Sequence, residues 1–223
     1  MTALILGHSY IRNIRDFALP PRLDQAGNPL TMSDVDICQS RRAARLALKL
    51  SVQHHVSHVY TLSNSITFIS DLQHCVPTVT DTKPTVVVID IGSNDISYVA
   101  EPAPDIMLDL ATEVFNFAKS LSVPCVVLHA VLPRTGFLHT TSDIFYNNSH
   151  LYNTILHDLC KSDTQIHFNK LRGFHCQYVN NVELKRPVSD WSTDGIHPNK
   201  PASTQQYLRR LSHGLLDALK STQ

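Results

Sequence analysis

The stretch Thr85-Val86-Val87-Val88-Ile89-Asp90-Ile91, followed at once by Gly92-Ser93-Asn94-Asp95, decides the fold. The first seven residues are β-branched almost throughout. A run that is apolar on both faces suits the central strand of a parallel sheet, where both faces are covered. Gly92 permits a sharp exit from that strand, and Gly, Ser, Asn and Asp are all turn formers.

Other strands follow outward from this one. Ala3-Leu4-Ile5-Leu6 is a short apolar run ending at Gly7, and Cys125-Val126-Val127-Leu128 follows Pro124. Weaker runs lie at His58 to Leu62 and Gln165 to Phe168. Helical periodicity fills the gaps. Ile11, Ile14 and Ala18 share one face; so do Leu108, Ala111, Phe115 and Ala118, and Leu151, Ile155 and Leu159. A last helix is predicted from about Ala202 to Leu219, with Leu208, Leu211, Leu215 and Leu219 on one stripe. Strands alternating with helices predict a doubly wound α/β fold with a parallel sheet. Residues 19–57 contain a Pro-Pro turn, a Gly-Asn-Pro turn and a helix-forming stretch from Ser40 to Leu50. They fit the alternation less well and read as an insertion within one domain spanning 1–223.

The composition narrows the class. The chain has 223 residues, with 43% apolar and 17% charged, which is a globular balance rather than a disordered one. Nineteen basic residues offset nineteen acidic ones, so net charge gives no reason to expect nucleic-acid binding, although Arg41, Arg42 and Arg45 form a local basic group. The apolar runs fall well short of the roughly 20 residues that span a bilayer, and no signal-peptide pattern is seen at the N-terminus. The expectation is an intracellular, cytoplasmic protein, with a mature form or an excised domain as the alternatives. The five cysteines include no C-x-x-C pair and read as reduced thiols, mostly core filling. His54, His55 and His58 cluster, but too few ligands are in sight for a metal site, and a solvated surface group accounts for them.

Three short segments carry candidate chemistry. Gly7-His8-Ser9 sits where the first strand turns into a helix. A serine hydroxyl there stands at the sheet edge, where open α/β sheets bind ligands, and its N–H is at a helix N-terminus that favours a developing oxyanion. A plain helix N-cap is the ordinary structural reading. Gly92-Ser93-Asn94-Asp95 offers the Asn94 amide as an uncharged donor; its ordinary reading is a strand-ending turn. Asp194-Gly195-Ile196-His197-Pro198-Asn199 precedes the last helix. An imidazole three residues after a carboxylate can be oriented by it, so that its other nitrogen acts as a general base; a surface turn is again the alternative.

Taken together, strand–G-x-S–helix, strand–G-x-N-D, and D-x-x-H before a final helix resemble the SGNH, or GDSL-like, hydrolase superfamily. The resemblance runs from Gly7 to His197. It implies a flavodoxin-like three-layer α/β/α sandwich around a parallel sheet of about five strands. It also implies Ser9 as nucleophile, His197 as base and Asp194 as its orienter. The oxyanion hole would combine the N–H groups of Ser9 and Ser65 with the Asn94 side chain. The segment Phe145-Tyr146-Asn147 through Asn153 looks like the family's asparagine-containing helix start. No metal and no cofactor is implied.

Two positions depart from the pattern. His8 stands where the family has aspartate, and one possibility is that it pairs with Asp90, a carboxylate in an apolar strand that needs a partner; a hydroxyl or a water would serve as well. Ser65, within Leu62-Ser63-Asn64-Ser65-Ile66-Thr67, stands where the family has glycine. It keeps the N–H but has less freedom to reach φ > 0. A narrower resemblance, resting on G-H-S, the Val-Leu-Pro-Arg segment ending at Arg134, the Arg172-Gly173-Phe174 turn and D-G-I-H-P-N, is to esterase-like domains encoded by invertebrate and fish retrotransposons and related mobile elements. Arg134 is a candidate to hold an acidic substrate group, with a structural ion pair as the alternative. The expected activity is hydrolysis of a short acyl ester on a small molecule, lipid or carbohydrate. The competing reading is a catalytically weak SGNH-fold binding or assembly domain of a mobile-element protein.

Overall fold

The computed structural model describes residues 2–7, 58–62, 66–136, 138–179 and 182–221. Five strands form one parallel sheet: β1 (Thr2–Gly7), β2 (His58–Leu62), β3 (Val86–Asp90), β4 (Cys125–His129) and β5 (Ile166–Asn169), in the order β2-β1-β3-β4-β5. The valine-rich run lies at its centre, with Val88 opposite Ile5 on one side and Val127 on the other. Alternate residues of a strand face opposite sides. Leu4, Leu6, Val87, Ile89, Val126 and Leu128 therefore enter one core, while Ala3, Ile5, Val86, Val88, Cys125 and Val127 enter a second. This is why β3 reads as continuously apolar: each face has its own core.

Helices cover both faces. On the first lie α1 (Val76–Thr82), α3 (Pro104–Ser120) and α4 (Ser142–Lys161), together with a 3₁₀ helix at Ile69–Cys75. A short helix, α2 (Ser93–Ser97), follows β3 directly. On the second face α5 (Pro201–Ser221) packs Leu208, Leu211, Leu215 and Leu219, the stripe read from its periodicity. The result is the expected three-layer sandwich.

One helical face matches the expectation except at its start, and one is rotated from it. In α3 Ala111, Phe115 and Ala118 are buried as expected, together with Met107, Val114 and Phe117, while Leu108 is 48% exposed. In α4 Tyr152, Leu156 and Cys160 are buried, while Leu151, Ile155 and Leu159 pack at the flank of the same core. At 100° per residue a one-position error moves the stripe to its edge without changing its period. An antiparallel hairpin, β6 (Cys176–Val179) with β7 (Val182–Lys185), lies outside the sheet and was not expected. Its sequence signal is Asn180-Asn181 between two runs of strand-forming residues, a two-residue turn pattern.

Cys75, Cys125 and Cys160 are buried and free. Burial pushes their thiols up to about 11, 11 and 12, which suits core filling rather than reactivity. Among the described residues no helix is long and apolar enough to cross a membrane. The insertion at 19–57, the helix after Ser9, Cys38 and the imidazoles of the His54–His58 cluster lie outside what is described.

Candidate active site

The loops that leave β3 and β4 lie at one edge of the sheet, and of the candidate residues the described ones, Asn94, Arg134, Asp194 and His197, are joined there. Gly92 leaves β3 at φ +103, a left-handed conformation that favours glycine. A Cβ at that position would stand 3.1 Å from the Tyr152 hydroxyl oxygen, so the turn also needs the missing side chain. The sharp exit sets Asn94 and Asp95 in the first turn of α2.

Both of these side chains reach back to the chain that follows β2. Asn94 Nδ2 donates to the Thr67 carbonyl at 2.9 Å, and Asn94 Oδ1 accepts from Arg134 Nη1 at 3.1 Å. Only one orientation of the amide satisfies both bonds, because a carbonyl cannot donate and a guanidinium cannot accept. Asp95 accepts the Ile69 N–H with both oxygens, at 3.1 and 3.3 Å. Burial pushes the Asp95 carboxyl up to about 6, against the pull of that N–H. The Arg134 side chain is buried, and its guanidinium also lies over the Phe145 ring, 5.2 Å from the centroid.

The segment that carries Arg134 holds the second half of the site as well. Thr135 N and Gly136 N both donate to the Gly195 carbonyl, at 2.8 and 3.0 Å. Gly195 itself turns at φ +74. A Cβ on Gly136 would stand 2.2 Å from the Asp194 carbonyl oxygen, so the two backbones approach as closely as a glycine allows. Arg134-Thr135-Gly136 thus clamps Asn94 at one end and the Asp194–His197 turn at the other. The chain leaving β4 is itself fixed by Asn153, whose amide bridges the Val131 N–H at 2.8 Å and the Val131 carbonyl at 2.9 Å.

Within that turn Asp194 is saturated. Its Oδ1 accepts from Ser192 Oγ at 2.9 Å, Ile196 N at 2.9 Å and His197 N at 2.8 Å. Its Oδ2 lies 2.7 Å from His197 Nδ1. Burial pushes this carboxyl up, but the bonds from the His197 ring and backbone, Ile196 N–H and the Ser192 hydroxyl outweigh it and hold it at about 2. The carboxylate is therefore ionised and immobile, and it fixes the imidazole so that a proton transfer would run through Nε2. The Ser192 hydroxyl was not foreseen; its signal is a serine two residues before the aspartate.

Asp90, at the end of β3, is also satisfied. The Tyr207 hydroxyl donates to its Oδ2, and His129 Nδ1 lies 3.5 Å from the same oxygen. His129 Nε2 is 3.3 Å from Asn169 Nδ2, which donates to the Arg210 carbonyl. A hydroxyl meets the buried carboxylate, the second of the two readings left open. Ser9, Ser65 and the pairing of His8 with Asp90 lie outside the described residues. Ser9 follows Gly7 by two positions, and Gly7 pairs in register with Asp90, two residues before Gly92. Among the described residues no group of three or more His, Cys, Asp or Glu side chains is placed to hold a metal.

The chain is similar in fold to TesA (16% identity, TM-score 0.60, 98% of this chain and 99% of that one). It is similar to a GDSL-like lipase from Bacteroides thetaiotaomicron (16%, TM-score 0.60, 98% and 87%). It is also similar to a catalytic mutant of Axe2, an acetylxylan esterase from Geobacillus stearothermophilus (17%, TM-score 0.57, 98% and 93%). No curated protein sequence matches it. The sequence pattern of the GDSL-like lipase/acylhydrolase family matches residues 24–207, a span that includes Asn94, Arg134, Asp194 and His197 and begins after Ser9. With most of its length matched in this way, the chain belongs to the GDSL-like lipase/acylhydrolase family and is a hydrolase of the SGNH type.

Proposed function

We propose that this hydrolase is a serine esterase that removes a short, acetyl-like acyl group through an acyl-enzyme on Ser9. The observation that carries the reading is the locked Asp194–His197 pair. A carboxylate held by three donors on one oxygen, with the imidazole on the other, has the form of a base and its orienter. Ser9 Oγ attacks the ester carbonyl while His197 Nε2 takes its proton. The carbonyl oxygen becomes an oxyanion, and the C–O bond to the alcohol breaks as His197 returns the proton to the leaving oxygen. Water then repeats the sequence on the acyl-enzyme and releases the acid.

The oxyanion donors in this reading are the N–H groups of Ser9 and Ser65 and the Asn94 amide. One Asn94 amide hydrogen goes to Thr67, and the second is the one offered to the oxyanion. Arg134 works through Asn94: its bond to Oδ1 fixes the amide plane and polarises the amide toward better donation. Contact between Arg134 and an acidic substrate group is the less supported role, since the side chain is buried. Similarity in fold to an acetylxylan esterase supports a short acyl group on a small ester, a carbohydrate or a lipid.

The test is p-nitrophenyl acetate hydrolysis by wild type and Ser9→Ala, with p-nitrophenyl octanoate as the long-chain comparison. Wild type is expected to turn over acetate faster than octanoate, and the variant to fall to background. Equal rates for the two proteins sink the acyl-enzyme, and a preference for octanoate sinks the short-acyl assignment.

A further inference from the structure

A second cavity opens at the far end of the sheet edge, beyond β4 and β5. Its volume is about 630 Å³, within the range that small-molecule sites occupy. One wall is a single stripe of α4 that carries His150, Thr154 and His157 at helical spacing. The floor is apolar, formed by Ala130 and Phe168, and His157 packs on the Phe168 ring at 5.4 Å between centroids. The other wall runs from Lys170 and Arg172 to His175 and Cys176, where the chain enters β6.

The electrostatics of this lining have one sign. Lys170, Arg172 and three imidazoles line it, and no Asp or Glu does. Asp158 approaches His157 Nδ1 at 3.9 Å but is held by Lys161 Nζ at 2.7 Å. Burial, followed by the neighbouring His150, pushes His175 down to about 4. Burial and then Lys170 and Lys161 push His157 down. At neutral pH His157 and His175 are therefore neutral; the single N–H of His175 is taken by the Val131 carbonyl, which leaves His157 as the neutral N–H donor beside the Lys170 and Arg172 side chains.

We propose that this cavity is a binding site for a small oxyanion, a carboxylate or a phosphate, carried on a compact apolar body. Lys170 and Arg172 neutralise the anion, the α4 imidazoles of His150 and His157 donate to its oxygens, and the body lies on Phe168, with His175 held to the Val131 carbonyl behind it. The cavity uses none of the residues assigned to ester cleavage, so the proposal stands apart from that reading.

Phenyl phosphate, benzoate and benzyl alcohol are the probes, titrated into the full chain while the histidine ring resonances are followed by NMR. At least one anion is expected to bind and to shift His150, His157 and His175, and the neutral alcohol to leave them unmoved. Tighter binding of phenyl phosphate identifies the phosphate class, and tighter binding of benzoate the carboxylate class. The Lys170→Ala/Arg172→Ala double variant should weaken the bound anion about tenfold, while p-nitrophenyl acetate hydrolysis stays at the wild-type rate. The proposal is overturned if neither anion shifts these histidines. It is also overturned if the alcohol binds as well as the anions, or if the double variant binds as tightly as wild type.

Discussion

Asp194→Asn changes almost nothing in shape, yet the structure fixes which way the new amide must face. Three donors converge on Oδ1: the Ser192 hydroxyl and the N–H groups of Ile196 and His197. An amide oxygen can still accept from all three, whereas an NH₂ there would confront two backbone N–H groups. The oxygen therefore keeps the Oδ1 place and the NH₂ takes the Oδ2 place, 2.7 Å from His197 Nδ1. A donor facing Nδ1 forces the ring proton onto Nε2, the nitrogen that must accept from Ser9. The variant should lose on the order of 10²- to 10⁴-fold in kcat, the upper end being the loss for the same change in a serine-protease triad. KM should stay within about threefold, because ester binding does not use the ring proton. The fold should survive. Lowering the carboxyl from 3.8 to about 2 corresponds to about 2.4 kcal/mol at 1.36 kcal/mol per pH unit. The side chain is 37% exposed, and screening reduces this to about 1 kcal/mol. Steady-state kinetics with p-nitrophenyl acetate and ¹⁵N spectra of the His197 ring read the two halves of the effect. A variant that keeps more than a tenth of wild-type kcat, or a ring still protonated on Nδ1, would refute the reasoning.

Asn94→Ala should lower kcat about 10²- to 10³-fold, the usual loss for one oxyanion donor. Arg134→Gln should cost about tenfold in kcat alone, and adding it to Asn94→Ala should cost nothing further, since contacting residues that act as a unit are not additive; a multiplicative double variant would show that Arg134 acts elsewhere. Stability should fall as pH rises from about 4 to about 6, because the raised Asp95 carboxyl binds its proton more tightly in the folded chain than in the unfolded one. The lowered Asp194 carboxyl works in the opposite sense, so its contribution is lost as pH falls from about 4 to about 2. Denaturant melts of Asp95→Asn should be flatter between pH 4 and 6 than those of wild type, and an unchanged slope would exclude the assignment. Gly136→Ala must move backbone, since its Cβ would stand 2.2 Å from the Asp194 oxygen. A cost of about 2 kcal/mol, or about 5 °C in Tm, is expected with a parallel loss of activity; a Tm within 1 °C of wild type would mean that the loops do not approach as described.

What could be read from the sequence divides by range along the chain rather than by importance. Asp194 and His197 are three residues apart, and a turn of that length brings them together with little help from elsewhere. The apolar run of β3 is equally local, since a strand covered on both faces must be apolar at successive positions. The clamp on Asn94 is not local: Thr67 and Arg134 lie 27 and 40 residues away. Tyr207 reaches Asp90 across 117 residues. No periodicity encodes such pairs, because any donor of the right length could fill the role, and only the packing of α4 and α5 on the two faces of the sheet selects one. Partial signals did exist. Asp90 and His129 end apolar strands, which requires a partner without naming it, and Gly136 after Arg134-Thr135 marks a close approach without saying to what. The clamp on Asn94 is assembled from two distant segments, at Thr67 and Arg134, whereas the Asp194–His197 turn closes on itself within four residues, which is why the turn could be read from the sequence and the clamp could not.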